Sequence, residues 1–231
     1  MPEDLSWPHD EGRPLAFLCQ ISLAELPDIS PDPGYPKSGF LFFFYDQQQG
    51  AWGFDPANKP KWRVVHSSDV APDIPPRVAP QGLSRKAVYS PRPLSYRVIE
   101  TYPYVSHPEI DAVIKTDKAF EAYSNFCMPS GGEDNGHHMF GYPDAVQNPN
   151  MDEECQLVSN GIYLGKPADF QTEEAKRLKP GASDWLLLLQ LCSDDDARMM
   201  WGDAGCLYFW IRQQDLKQSN FSDVWMILQC G

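Results

Sequence analysis

The sequence predicts an α+β protein, mostly antiparallel β-sheet, built from two related β units with one or two helices. Three observations carry this. An apolar strand ending in glutamine, then a glycine, an aromatic strand and a further strand, occurs once near each end of the 231 residues. Links within each unit are short, which favours antiparallel pairing, because parallel strands need long crossovers. Between the units lie a proline-rich stretch and an apolar pattern at helical spacing. We expect one domain over 1–231, with pseudo-repeats over about 14–66 and 184–230 and a connecting segment over 67–183. The repeated order reads as an internal duplication.

In chain order, "PLAFLCQIS" (14–22) is the first apolar strand, ending around Gln20. Ser22 followed by Glu25 has the spacing of a cap. Gly39 precedes the aromatic strand "FLFFFY" (40–45), and "KWRVVH" (61–66) closes the first unit. Residues 72–93 are rich in proline and predict a surface loop or edge segment. "LSYRVIETYPYV" (94–105) alternates as a strand does. Ser106 and Glu109 frame a capping box with Pro108 in the first turn, and Ile110, Val113, Ile114, Phe120 and Tyr123 extend a helix over 108–126. Thr172 with Glu173 and Glu174 starts a shorter helix that stops at Pro180-Gly181. In the second unit "DWLLLLQLCS" (184–193) ends around Gln190, with Ser193 and Asp196 at cap spacing. Gly205 then precedes "LYFWI" (207–211), five large apolar residues that read as a strand buried on both faces. "VWMILQC" (224–230) is the last strand.

The formal charge is −13. It is uneven, since residues 116–231 hold 18 acids against 8 bases. Such a surface repels phosphate backbones, so we expect no nucleic-acid partner. It suits a basic protein partner, or simply keeps the chain solvated. No apolar run is long enough to span a bilayer, and the first residues have neither the basic start nor the apolar core of a signal peptide. None of the six cysteines forms a C-x-x-C pair. Four lie in or beside apolar runs, so we expect all six reduced in a cytoplasmic protein, with no metal and no cofactor.

Three stretches are candidates for chemistry. In "SDDDARMMWGDAG" (193–205), clustered carboxylates suit a hard cation or polar ligand, but the spacing is not an EF-hand loop. The same residues equally make a turn launching the strand: Asp194 and Asp196 at its start, Asp203 bonding local amides, glycines supplying freedom. We expect Trp201 partly exposed, as a platform at a groove shared with the 137–147 loop. In "GHHMFGYPDAVQ" (136–147), His137 and His138 would point to opposite sides of a strand, leaving His138 as the ligand candidate. Gln20 and Gln190 are the polar ends of equivalent strands. In "SWPHDEGRPLAF" (6–17), Trp7 precedes a strand and reads as packing. No nucleophile motif or phosphate loop occurs, so no catalytic residue is assigned. The ligand-binding candidates are therefore Trp201, Asp203, Asp194, Asp196, His138, Gln20 and Gln190.

"WPHDEGRPLAFLCQISLAELP", "HHMFGYPDAVQ", "DWLLLLQLCSDDDARMMWGDAGCLYFWI" and "VWMILQC" together resemble the YwqG-like family, bacterial proteins grouped as a domain of unknown function. The resemblance covers nearly the whole chain, although the family pattern starts a little upstream. It implies a cytoplasmic α+β protein with no established activity and no catalytic residues to carry over. Some members look to be encoded beside secreted toxin systems, which implies an immunity or regulatory role. The expectation is a non-enzymatic binding protein whose partner is a basic protein such as a toxin. The alternative is a small-molecule- or metal-dependent enzyme or sensor, with a cleft near 137–147 and 194–203.

Overall fold

The computed structural model describes residues 1–2, 5–68, 77–105, 107–127 and 136–231. It holds a two-stranded hairpin, β1 (His9–Asp10) and β2 (Arg13–Pro14), and two three-stranded antiparallel sheets. The first sheet comprises β3 (Ala16–Ser22), β4 (Phe40–Tyr45) and β5 (Trp62–Ser67). Its counterpart comprises β6 (Trp185–Cys192), β7 (Cys206–Arg212) and β8 (Trp225–Gln229). The α+β class with mostly antiparallel sheet is therefore as expected.

The two sheets match position by position. Each first strand carries a β-bulge directly before its glutamine, between Phe17 and Cys19 and between Leu187 and Leu189. Gln20 then faces Phe42 and Val65 across the sheet, while Gln190 faces Tyr208 and Ile227. Ahead of each aromatic strand the glycine has the same reason to be there. A Cβ on Gly39 would meet the Ser67 carbonyl at 2.4 Å, and one on Gly205 the Gln229 carbonyl at 2.1 Å. Each of these glycines also accepts a backbone hydrogen bond, Gly39 from Leu23 at 3.0 Å and Gly205 from Ser193 at 2.9 Å. Leu23, not Ser22, is thus the counterpart of Ser193. The shared S-x-x-acid cap does not form: Ser22 makes no side-chain cap, and the Ser193 hydroxyl donates to the Gly205 carbonyl.

The inner faces meet in one core. Phe43 packs edge-on to Phe209 with centroids 5.2 Å apart, and Trp62 to Trp225 at 5.0 Å. Both indole N–H groups of the second pair are used across the seam: Trp62 donates to the Val224 carbonyl and Trp225 to the Gly53 carbonyl. Leu228 N–H donates to the Trp52 carbonyl at 3.1 Å, so β8 is stitched to the β4–β5 connection. On its other face the first sheet buries Phe42 and Phe44 under Met1 and Leu15, flanked by Trp7.

Among the described residues five α-helices complete the order: α1 (Pro108–Asp111), α2 (Asp117–Cys127), α3 (Met151–Ser159), α4 (Glu173–Leu178) and α5 (Gln213–Lys217). The helix expected over 108–126 is broken into α1 and α2, and α2 buries none of its residues, so no core contact rewards a continuous rod. Ser106 of the expected capping box lies outside the described residues. Residues 94–105 form no strand: Pro93 and Pro103 lack N–H donors, no sheet edge pairs with the segment, and Leu94, Val98 and Ile99 are exposed. The short helix after Thr172 is present, its hydroxyl accepting from Ala175 N–H at 3.1 Å.

The cysteine expectation is overturned in part. Cys192 and Cys206 stand opposite each other on β6 and β7 and are joined by a disulfide, while Cys19, Cys127, Cys155 and Cys230 are free. Their 14-residue separation gives no motif, because strand register alone brings them together.

Candidate functional site

The helix α3 was not foreseen, yet it positions the pocket with the strongest chemical demand. Met151, Cys155 and Val158 recur at i, i+4, i+7, giving one buried stripe that packs against β6 and β8. Glu154 sits beside this stripe rather than on the wet side, and only 3% of it is exposed. Its Oε1 accepts from the Asn148 amide. Its Oε2 is buried without a hydrogen-bond partner among the described residues. That costs free energy of about 1–3 kcal/mol unless something donates to it.

The carboxyl lines a cavity of about 490 Å³. Phe54, Leu164, Pro167 and Phe170 supply apolar walls, with Lys166 at the rim. Lys179 also lines it, but its ammonium is 2.8 Å from Glu153 and is spent there. Burial first, then the neighbouring Asp152 and Glu153 charges, push the Glu154 carboxyl up to about 7 against the pull of Asn148. Burial also raises the Asp152 carboxyl. The lining therefore combines a buried, titratable carboxyl with apolar side chains. No nucleophile is paired with a base in it. Among the described residues no three His, Cys, Asp or Glu side chains stand together as a metal site.

The residues singled out from sequence gather around β6 in another way. Gln190 is fully buried and completely used: Oε1 accepts from Asp144 N–H at 2.9 Å and Nε2 donates to the Gly136 carbonyl at 2.7 Å. Gln229, two strands away, does the same with Gln147 N–H and the Asn148 carbonyl. Two glutamines thus clamp the 136–148 segment to the outer face of the second sheet. His138 exchanges both backbone hydrogen bonds with Gln190, and its Nε2 lies 3.1 Å from the Tyr142 carbonyl. Burial holds that imidazole below its usual range. Gln20 is exposed and accepts from the Met1 ammonium.

Trp201 corrects the expected partly exposed platform: it is 0% exposed. Tyr89 and Tyr45 pack edge-on against its ring, at 5.4 and 6.1 Å. The proline-rich segment laces over the 193–205 loop, with Ser90 N–H donating to the Ala197 carbonyl and Arg198 to the Ser90 hydroxyl. Asp194 accepts from Ala197 N–H at 3.0 Å, as a turn aspartate does, and its second oxygen is 3.3 Å from His137 Nε2. The other His137 nitrogen accepts from Cys192 N–H, so neither is free to act as a base. Asp196 is exposed and pairs with Arg92 at 3.7 Å. Asp203 is exposed and contributes its carbonyl to Gly231 N–H. No described helix is long and apolar enough to cross a membrane.

No curated protein matches the chain. A family model described as a domain of unknown function, DUF1963, matches residues 1–230, and the chain belongs to that family.

Proposed function

We propose that this is a non-catalytic binding protein whose pocket on α3 takes an organic cation with an apolar body. The carrying observation is Glu154, which lines a cavity while its Oε2 is buried and unpartnered among the described residues, so that a ligand entering beside it has an unmet acceptor to reach. An ammonium or amidinium gives that oxygen a charge-assisted hydrogen bond, while Phe54, Leu164 and Phe170 receive the body. Asp152 and Glu153 add potential of the same sign. A second reading, an immunity or regulatory protein that binds a basic protein such as a toxin, is favoured by the −13 charge and by exposed apolar side chains. These include Leu94, Val98, Phe120, and Tyr102 packed against Phe126. The resemblance to bacterial, cytoplasmic YwqG-like proteins and an origin by internal duplication belong to the same proposal, the latter supported by the shared bulge and register.

Thermal shift and calorimetric titration with benzylammonium and benzamidinium, against benzyl alcohol, test the first reading. Both cations raise the melting temperature, the alcohol does not, and Glu154→Gln abolishes the effect. Equal shifts with the alcohol, or undiminished binding by Glu154→Gln, overturn it. Binding of polylysine but of neither small cation moves the choice to the second reading.

A further inference from the structure

The opposite end of α3 opens on a second recess, of about 520 Å³. Two cations line it. Arg212, at the end of β7, lies over the Trp185 ring at 4.6 Å and donates to the Ser159 hydroxyl at 3.3 Å. Lys59 lies 5.6 Å from the Trp225 ring and donates to the carbonyls of Ser222 and Val224 at 3.0 and 2.8 Å. Two of the three ammonium protons are thus used, and a guanidinium has five N–H donors of which Ser159 takes one. Among the described residues neither cation forms an ion pair, in a chain with 32 acids to 19 bases.

The recess also contains two carboxylates, and neither neutralises these cations by contact. Asp215 accepts from the Asn220 amide at 3.1 Å, and Asp223 acts on Lys59 only through space. Desolvation brings the Lys59 ammonium down to about 8, a penalty that an anion beside it would offset. We propose that this recess binds a small oxyanion, the carboxylate or phosphate monoester group of a small molecule, with the Arg212 fork and the free Lys59 proton as its donors. The site shares none of its residues with the Glu154 pocket.

Titrating the full chain at low ionic strength with benzoate, phenyl phosphate and inorganic phosphate, followed by calorimetry and tryptophan fluorescence, tests this. One oxyanion binds 1:1, and Arg212→Gln and Lys59→Gln each weaken it by roughly tenfold or more. Arg212→Lys also weakens it, because the fork is lost, whereas Glu154→Gln leaves it unchanged. Tighter binding of phenyl phosphate than of benzoate assigns the phosphate monoester; the reverse order assigns the carboxylate. Absence of saturable binding by all three anions overturns the proposal. Should Lys59→Gln fail to fold, Arg212→Gln decides alone, and unaltered binding by it overturns the proposal too.

Discussion

Burial lifts the Glu154 carboxyl to about 7, so the native chain holds that proton more tightly than the unfolded chain does. Between the ordinary glutamate range and pH 7 the folded state therefore binds more protons. Stability from this group is greatest below that window and falls as pH rises through it, by about 3 kcal/mol in all. Lys59 has the opposite sign at higher pH. Its folded value of about 8 lies below the unfolded lysine value, so the unfolded chain binds more protons above 8 and stability rises from there. Denaturant melts from pH 5 to 10 should show the two-sided dependence; Glu154→Gln flattens the acidic limb and Lys59→Met the alkaline one. A fall that survives Glu154→Gln would assign the acidic limb elsewhere. Glu154 was not legible in the sequence, since Asp152-Glu153-Glu154 reads as the solvated first turn of a helix. Only packing reveals which of the three acids turns inward. Gln190 was legible, because a lone amide in an apolar strand must find partners.

Among the elements, the strands of the two three-stranded sheets were readable from composition, and even their matching order was, whereas the short hairpin of β1 and β2 was not. The reason is local: aromatic and β-branched runs, with a glycine where a backbone carbonyl approaches, need no knowledge of distant chain. Gly39→Ala and Gly205→Ala should each cost about 2–3 kcal/mol or more, since the new Cβ meets a sheet carbonyl that cannot move aside. Gly161→Ala is the control, with φ +93° but nothing within 4 Å, and should cost only about 1 kcal/mol. Equal costs at Gly39 and Gly161, which share a positive φ, would show that backbone conformation, not close approach, decides there. The 136–148 segment supplies a further prediction. Gln190→Leu leaves Asp144 N–H and the Gly136 carbonyl without their partner and should cost about 2–4 kcal/mol, with amide exchange quickened first in that segment. Uniformly quickened exchange would refute a clamp. What sequence misjudged at this scale depends on neighbours: residues 94–105 alternate like a strand but have no edge to join, and Trp201 looked exposed until Tyr89 covered it.

At the scale of the whole molecule the pairing of Cys192 with Cys206 should be the easiest property to check. Denaturation without reductant should leave four titratable thiols, and reduction should lower stability by about 3 kcal/mol, as closing a loop of this length does. Six thiols would exclude the cross-link. The seam between the sheets was invisible in sequence, because Trp62 with Val224 and Gly53 with Trp225 are joined by hydrogen bonds across more than half the chain. That seam also has a timetable. Synthesis runs at about 5–20 residues per second, so β8 leaves the ribosome roughly 10–30 s after β5. For most of that interval, until Trp201 and Phe209 have emerged, the inner face of the nascent first sheet, with Leu41, Phe43 and Tyr45, has no mate. Translation that stalls between the two strands therefore releases a sticky half-structure, the form a chaperone would be called upon to hold.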